Sequence, residues 1–119
     1  MKQNIDIQQY SELDDVQKRR MLEWWNPIRG DLFFFTDRNL VLIVEAASDE
    51  GIESIGELIP KQKCEPLLSI GQMIQYILSR SRTWQFISDC IQYDCIQFNR
   101  EFADSLWEAV KLELANPNY

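Results

Sequence analysis

The chain has 119 residues, of which 45% are hydrophobic and 26% charged, with 12 Lys and Arg against 19 Asp and Glu. That length suits a single domain over 1–119, and the apolar content is too high for a disordered chain. A net charge of −7 argues against direct nucleic-acid binding, which draws its affinity from Lys and Arg on phosphates, and the lack of histidine excludes His-based triads and His-containing metal sites.

Residues 1–10 read as a polar lead-in or short extended arm. Ser11 is expected to cap a first helix through the backbone N–H of Asp14. Leu13, Val16, Met21, Trp24 and Trp25 form its approximate apolar face, and Asn26-Pro27 ends it. Leu32-Phe33-Phe34-Phe35 and Leu40-Val41-Leu42-Ile43-Val44 read as two strands joined by a hairpin loop at 36–39. Their continuous apolar runs predict a pair buried on both faces or nearly so. The stretch 46–63 is punctuated by Gly51, Gly56 and Pro60 and reads as a long loop, with one helical turn or a short strand near 52–59.

Ser69 and Gln72 form a capping box for the clearest helix, whose stripe is Ile70, Met73, Ile74, Ile77 and Leu78. Over 83–98 apolar and polar residues alternate, favouring a hairpin that turns near Asp89-Cys90. Trp84, Ile87 and Ile91 also fit a helical spacing, so a single helix competes. Asn99 can cap a last helix from 100 to about 114, with the stripe Ala103, Leu106, Val110 and Leu114. Two antiparallel hairpins packed with about three helices make a small α+β domain.

Three cysteines, Cys64, Cys90 and Cys95, do not make a disulfide framework and read as buried thiols of a reducing compartment. No apolar run is long enough to span a bilayer. MKQNIDIQQY has no apolar signal core, so the expectation is an intracellular chain without a membrane partner. There is no CxxC, GxSxG, HExxH or calcium-loop pattern, hence no expected cofactor or metal and no enzyme signature.

The features able to act are few. Trp24 and Trp25 sit side by side: either both close the core, or one stays exposed as a protein-binding anchor. Glu45, Asp49, Glu50, Glu53 and Glu57 make the densest acidic stretch, a solvated loop or a surface for a basic partner. Lys18-Arg19-Arg20 is the only basic cluster, a polar helix face or a small phosphate contact. Glu101, Asp104 and Glu108 share a helix face, solvated or able to bind a metal for hydrolysis. Trp84, Tyr93, Arg80 and Arg82 are the residues a nucleotide-sequestering pocket would use.

Three blocks carry a resemblance: Trp25-Asn26-Pro27-Ile28-Arg29-Gly30-Asp31, Leu67-Leu68-Ser69-Ile70-Gly71-Gln72-Met73-Ile74, and Asp104-Ser105-Leu106-Trp107-Glu108-Ala109-Val110-Lys111. They resemble small accessory proteins of phages and prophages of Gram-positive bacteria, in which a W-x-P-x-x-G-D turn opens a strand pair, an L-L-S-I-G-Q helix follows and a D-x-L-W-E-A-V helix closes the chain. The stretch 88–98 departs from the charged hairpin of that pattern. The resemblance transfers no catalytic residue. It implies a protein of the host bacterial cytoplasm that binds and blocks a host-defence or other host protein, as an anti-CRISPR protein does. Here the acidic stretch would meet a basic surface, such as a nucleic-acid groove of that protein, with Trp24 or Trp25 as anchor. A small-molecule or nucleotide-signal binder is the alternative, and the oligomeric state is left open.

Overall fold

A computed structural model describes residues 2–80, 83–92 and 101–116, with Cys90 and Ile91 by backbone alone. The fold is α+β. Its contacts divide the chain into a unit built from 6–68 and a second built from the first five residues together with 69–119.

In the 6–68 unit two short helices come first. Asp6 caps α1 (Ile7–Tyr10) and Asp14 caps α2 (Asp15–Trp24), each through a full capping box with a glutamine three residues on. Ser11 is instead the C-cap of α1, and its hydroxyl donates to the Gln8 carbonyl at 2.6 Å. An aspartate followed at the third position by Gln satisfies two end N–H groups where Ser11 would satisfy one. Met21 and Trp25 are buried, whereas Val16 is exposed.

Strands β1 (Leu32–Phe35), β2 (Leu40–Ile43) and β6 (Cys64–Pro66) make one antiparallel sheet in the order β2-β1-β6. Central β1 turns Phe33 and Phe35 into the core. The expected burial of both strands fails for β2. It lies at the sheet edge, with Leu40, Val41 and Ile43 48%, 53% and 55% exposed. The 36–39 loop is as expected, closed by Asn39 in the left-handed region (φ 56°).

The stretch 46–63 is no loop. It forms a second antiparallel sheet, β3 (Ala46–Ser48), β4 (Gly51–Ser54) and β5 (Glu57–Ile59), and then a 3₁₀ turn at Lys61–Lys63. Its glycines are what the turns need. Gly51 opens β4 at φ 146° and Gly56 ends the next turn at φ 74°, values that side chains disfavour. Ile52 and Ile59 face each other across the ladder and join Trp25, Phe33, Phe35, Val44 and Cys64 in one core, with Leu22, Trp24 and Leu42 packed on its margin.

The second unit is helical. The Ser69–Gln72 capping box starts α3 (Ile70–Ser79) as the sequence predicts. The preferred hairpin is overturned at residues 84–91, which form helix α4 (Trp84–Ile91), capped by the Thr83 hydroxyl. The helical spacing of Trp84 and Ile87 wins, with Ile87 buried and Trp84 left 63% exposed. The remainder of that stretch, with Tyr93 and Cys95, and the proposed cap Asn99 lie outside the described residues. Helix α5 (Phe102–Leu114) buries Ala103, Leu106, Val110 and Leu114, as read from the sequence, and Trp107 with them. Both α3 and α4 pack on α5. Residues 2–5 complete this unit. Asn4 makes an antiparallel bridge with Ser69, Ile5 is buried, and the Lys2 ammonium lies 2.8 Å from Asp104.

Candidate functional site

The first block of the resemblance builds its own turn. Trp25 Nε1 donates to Asp31 Oδ2 at 3.2 Å, and the same oxygen accepts the Ile28 N–H at 3.1 Å. Gly30, at φ 96°, donates its N–H to the Val44 carbonyl. Trp25 is thus a core residue, 1% exposed, and the candidacy of this ring as a surface anchor ends there. Trp24 next to it is half-buried against the core margin and keeps part of its ring in solvent. Adjacent helix positions lie about 100° apart, so the two rings separate into one buried and one at the border.

The five acidic residues are spread over the second sheet rather than gathered in a loop. Asp49 and Glu50 form the turn between β3 and β4, and Glu53 stands on β4 opposite Ala46 and Leu58, on the outward face. Glu45 precedes β3, its N–H donating to the Glu53 carbonyl at 2.9 Å. Glu45, Asp49, Glu50 and Glu53 are all exposed, and among the described residues none of the four has an ion-pair partner. Glu57 is different: it is half-buried and ion-paired with Arg38. The structure therefore brings Asp49, Glu50 and Glu53 to the turn and outer face of one sheet, leaves Glu45 at its start, and ties Glu57 up.

The basic cluster is largely committed. Lys18 reaches Glu65 at 3.5 Å and lies over the Tyr10 ring. Arg19 borders a depression of about 500 Å³ with Asp15, Leu22, Glu23 and Lys61, where burial holds the Lys61 ammonium below its ordinary pKa. Lys18 lines it as well, so three cations stand beside two carboxylates, with Lys18 itself paired to Glu65.

The carboxylates of α5 are engaged one by one. Glu101 accepts the Lys2 backbone N–H at 2.9 Å, Asp104 pairs with Lys2, and Glu108 lies 3.0 Å from Lys111. Among the described residues no three Cys, Asp or Glu side chains are placed to hold a metal ion. Trp84 begins α4 and Arg80 ends α3, while Arg82 and Tyr93 lie outside the described residues.

The sequence reading missed the exposed aliphatic strand. Leu40, Val41 and Ile43 leave β2 exposed and apolar, and Ile55, in the turn between β4 and β5, is 46% exposed as well. Four consecutive apolar residues carry no signal that separates an edge from a centre strand. No family model, curated protein or solved structure matches the chain. No helix among the described residues is long and apolar enough to cross a membrane.

Proposed function

We propose that this chain is a non-enzymatic binding protein that blocks a bacterial host protein by covering a basic surface. The observation that supports this reading is the set of exposed carboxylates at Asp49, Glu50 and Glu53, which meet no cation among the described residues. Groups of that kind lose little on meeting a basic partner, because no existing ion pair has to break, and they accelerate its encounter. A hydrogen-bonded turn holds Asp49 and Glu50 and a strand holds Glu53, which reduces the ordering cost of association. The half-buried Trp24 is the aromatic anchor of this reading, and the resemblance supplies the context of a phage or prophage and the host cytoplasm. A defence complex with a nucleic-acid groove is the partner of matching chemistry, as for an anti-CRISPR protein.

The test is capture of bacterial proteins by the tagged chain, alongside a folded Asp49→Lys, Glu50→Lys, Glu53→Lys variant. The expected result is a partner captured at low salt, weakened as salt rises, and bound at least about tenfold less by the reversed variant. A partner held equally by both chains overturns the proposed surface.

A further inference from the structure

A lysine reacts with electrophiles as the free amine, and a neighbouring carboxylate favours the unreactive ammonium instead. Lys2, Lys18, Lys63 and Lys111 each have such a neighbour, in Asp104, Glu65, Asp37 and Glu108. Lys61 has none among the described residues. Its backbone is anchored: it follows Pro60, opens the 3₁₀ turn, and its carbonyl accepts the N–H of the buried Cys64. Burial holds its ammonium below the ordinary lysine pKa, which raises the share of free amine near neutral pH.

Lys61 borders two depressions, one of about 500 Å³ against α2 and one of about 350 Å³ against the turn between β3 and β4. The charged groups that share them are Asp15, Lys18, Arg19 and Glu23 of α2, and Asp49 and Glu50 of the turn. Lys18 is taken by Glu65. Arg19 is exposed and meets no carboxylate among the described residues, so its guanidinium is available to hold an anion through two N–H groups. Asp49 and Glu50 repel anions from the smaller depression, which leaves the α2 side as their approach. There an unpaired amine and an unpaired guanidinium line one depression. An amine suits a carbonyl carbon and a guanidinium suits a phosphate, and an acyl phosphate carries both groups joined through one oxygen.

We propose that Lys61 is an acylation site for small acyl phosphates, with Arg19 holding the phosphate end and Lys61 Nζ taking the acyl group. The Nζ lone pair attacks the acyl carbon, and the bond from that carbon to the phosphate oxygen breaks. Inorganic phosphate leaves with a proton from the nitrogen, and an amide remains on Lys61. No electrons are gained or lost. The product carries one positive charge fewer beside Asp49 and Glu50. The site stands on the depression against α2 and is independent of the partner-binding reading of the acidic turn.

Acetyl phosphate and the uncharged N-hydroxysuccinimidyl acetate, each reacted with the full chain and mapped by peptide mass spectrometry, test it. Lys63, on the same 3₁₀ turn and paired with Asp37, is the internal reference. The expected result is acetylation of Lys61 at least about threefold faster than of Lys63 with both donors, the Lys61 rate rising at lower pH than the Lys63 rate. Arg19→Ala changes an exposed side chain. It should slow acetyl phosphate at Lys61 at least about threefold and leave the uncharged donor unaffected, with the circular dichroism unchanged. Added inorganic phosphate should act on the unaltered chain in the same selective way. Lys61 reacting no faster than Lys63 overturns the proposal. So does an acetyl phosphate rate that neither Arg19→Ala nor inorganic phosphate lowers, or a loss that is equal for the two donors.

Discussion

At Cys64 a single thiol is enclosed with Trp25, Phe33, Phe35 and Val44, and its polar contact among the described residues is the Pro60 carbonyl at 3.6 Å. Burial pushes its pKa from 9.0 up to about 12. Tyr10 is likewise raised above its ordinary value, by burial first and then by Glu65. Both groups are neutral when protonated, so the unfolded chain gives up these protons before the folded chain does. Their contribution to stability is whole below pH 9 and is lost as the pH rises toward 12. The melting temperature should therefore fall steadily over that window. A Cys90→Ser, Cys95→Ser variant, retaining only Cys64, should resist thiol reagents at pH 8 until denaturant is added; labelling at the unfolded rate would disprove the enclosure. The buried character of Cys64 was readable from composition. That Trp25 is enclosed while Trp24 lies at the margin was not, because it depends on Asp31 reaching back to the indole.

Elements were legible where the local signals agreed. The Ser69–Gln72 box, the stripe of α3 and the stripe of α5 appear where sequence periodicity puts them. The β3-β4-β5 sheet was legible only as one possible short strand near 52–59, because its strands are three or four residues long and hold two alanines, serines and glutamates. Of its apolar side chains Ile52 and Ile59 are the buried ones, and they find each other through register rather than through a run of apolar residues. Gly51 is what lets that register close. A Cβ there would stand 2.5 Å from the Ile59 carbonyl oxygen, on backbone at φ 146°. Gly51→Ala should cost on the order of 3 kcal/mol or more in urea unfolding, combining a clash with backbone strain. Gly56→Ala meets open space and should cost only about 1 kcal/mol for its positive φ. Equal losses at the two sites would mean that the close approach at Gly51 is not the constraint. In 83–98 the same type of residue supported two periods at once, and over 84–91 the helix forms with Thr83 as its cap.

Over the whole chain, the path matters more than the element count. The backbone leaves the helical unit at Ile5 and returns to it at Ser69. Asn4 and Ser69 are bridge partners, so their Cα atoms are about 5 Å apart. Everything from 6 to 68 is therefore an excursion that starts and finishes at one seam, with its own buried cluster around Trp25 and Phe33. Replacing 6–68 by a short Gly-Ser turn should leave the helical circular dichroism of 69–116 in place; loss of that signal would show that the helices need the excursion to fold. During synthesis the order is fixed by the same path. The sheets can complete themselves on the ribosome while Lys2 waits, since its partner Asp104 emerges only with the last helix. Two ends so close together also define an insertion point: recombination there would exchange 6–68 for any other segment whose ends lie equally close.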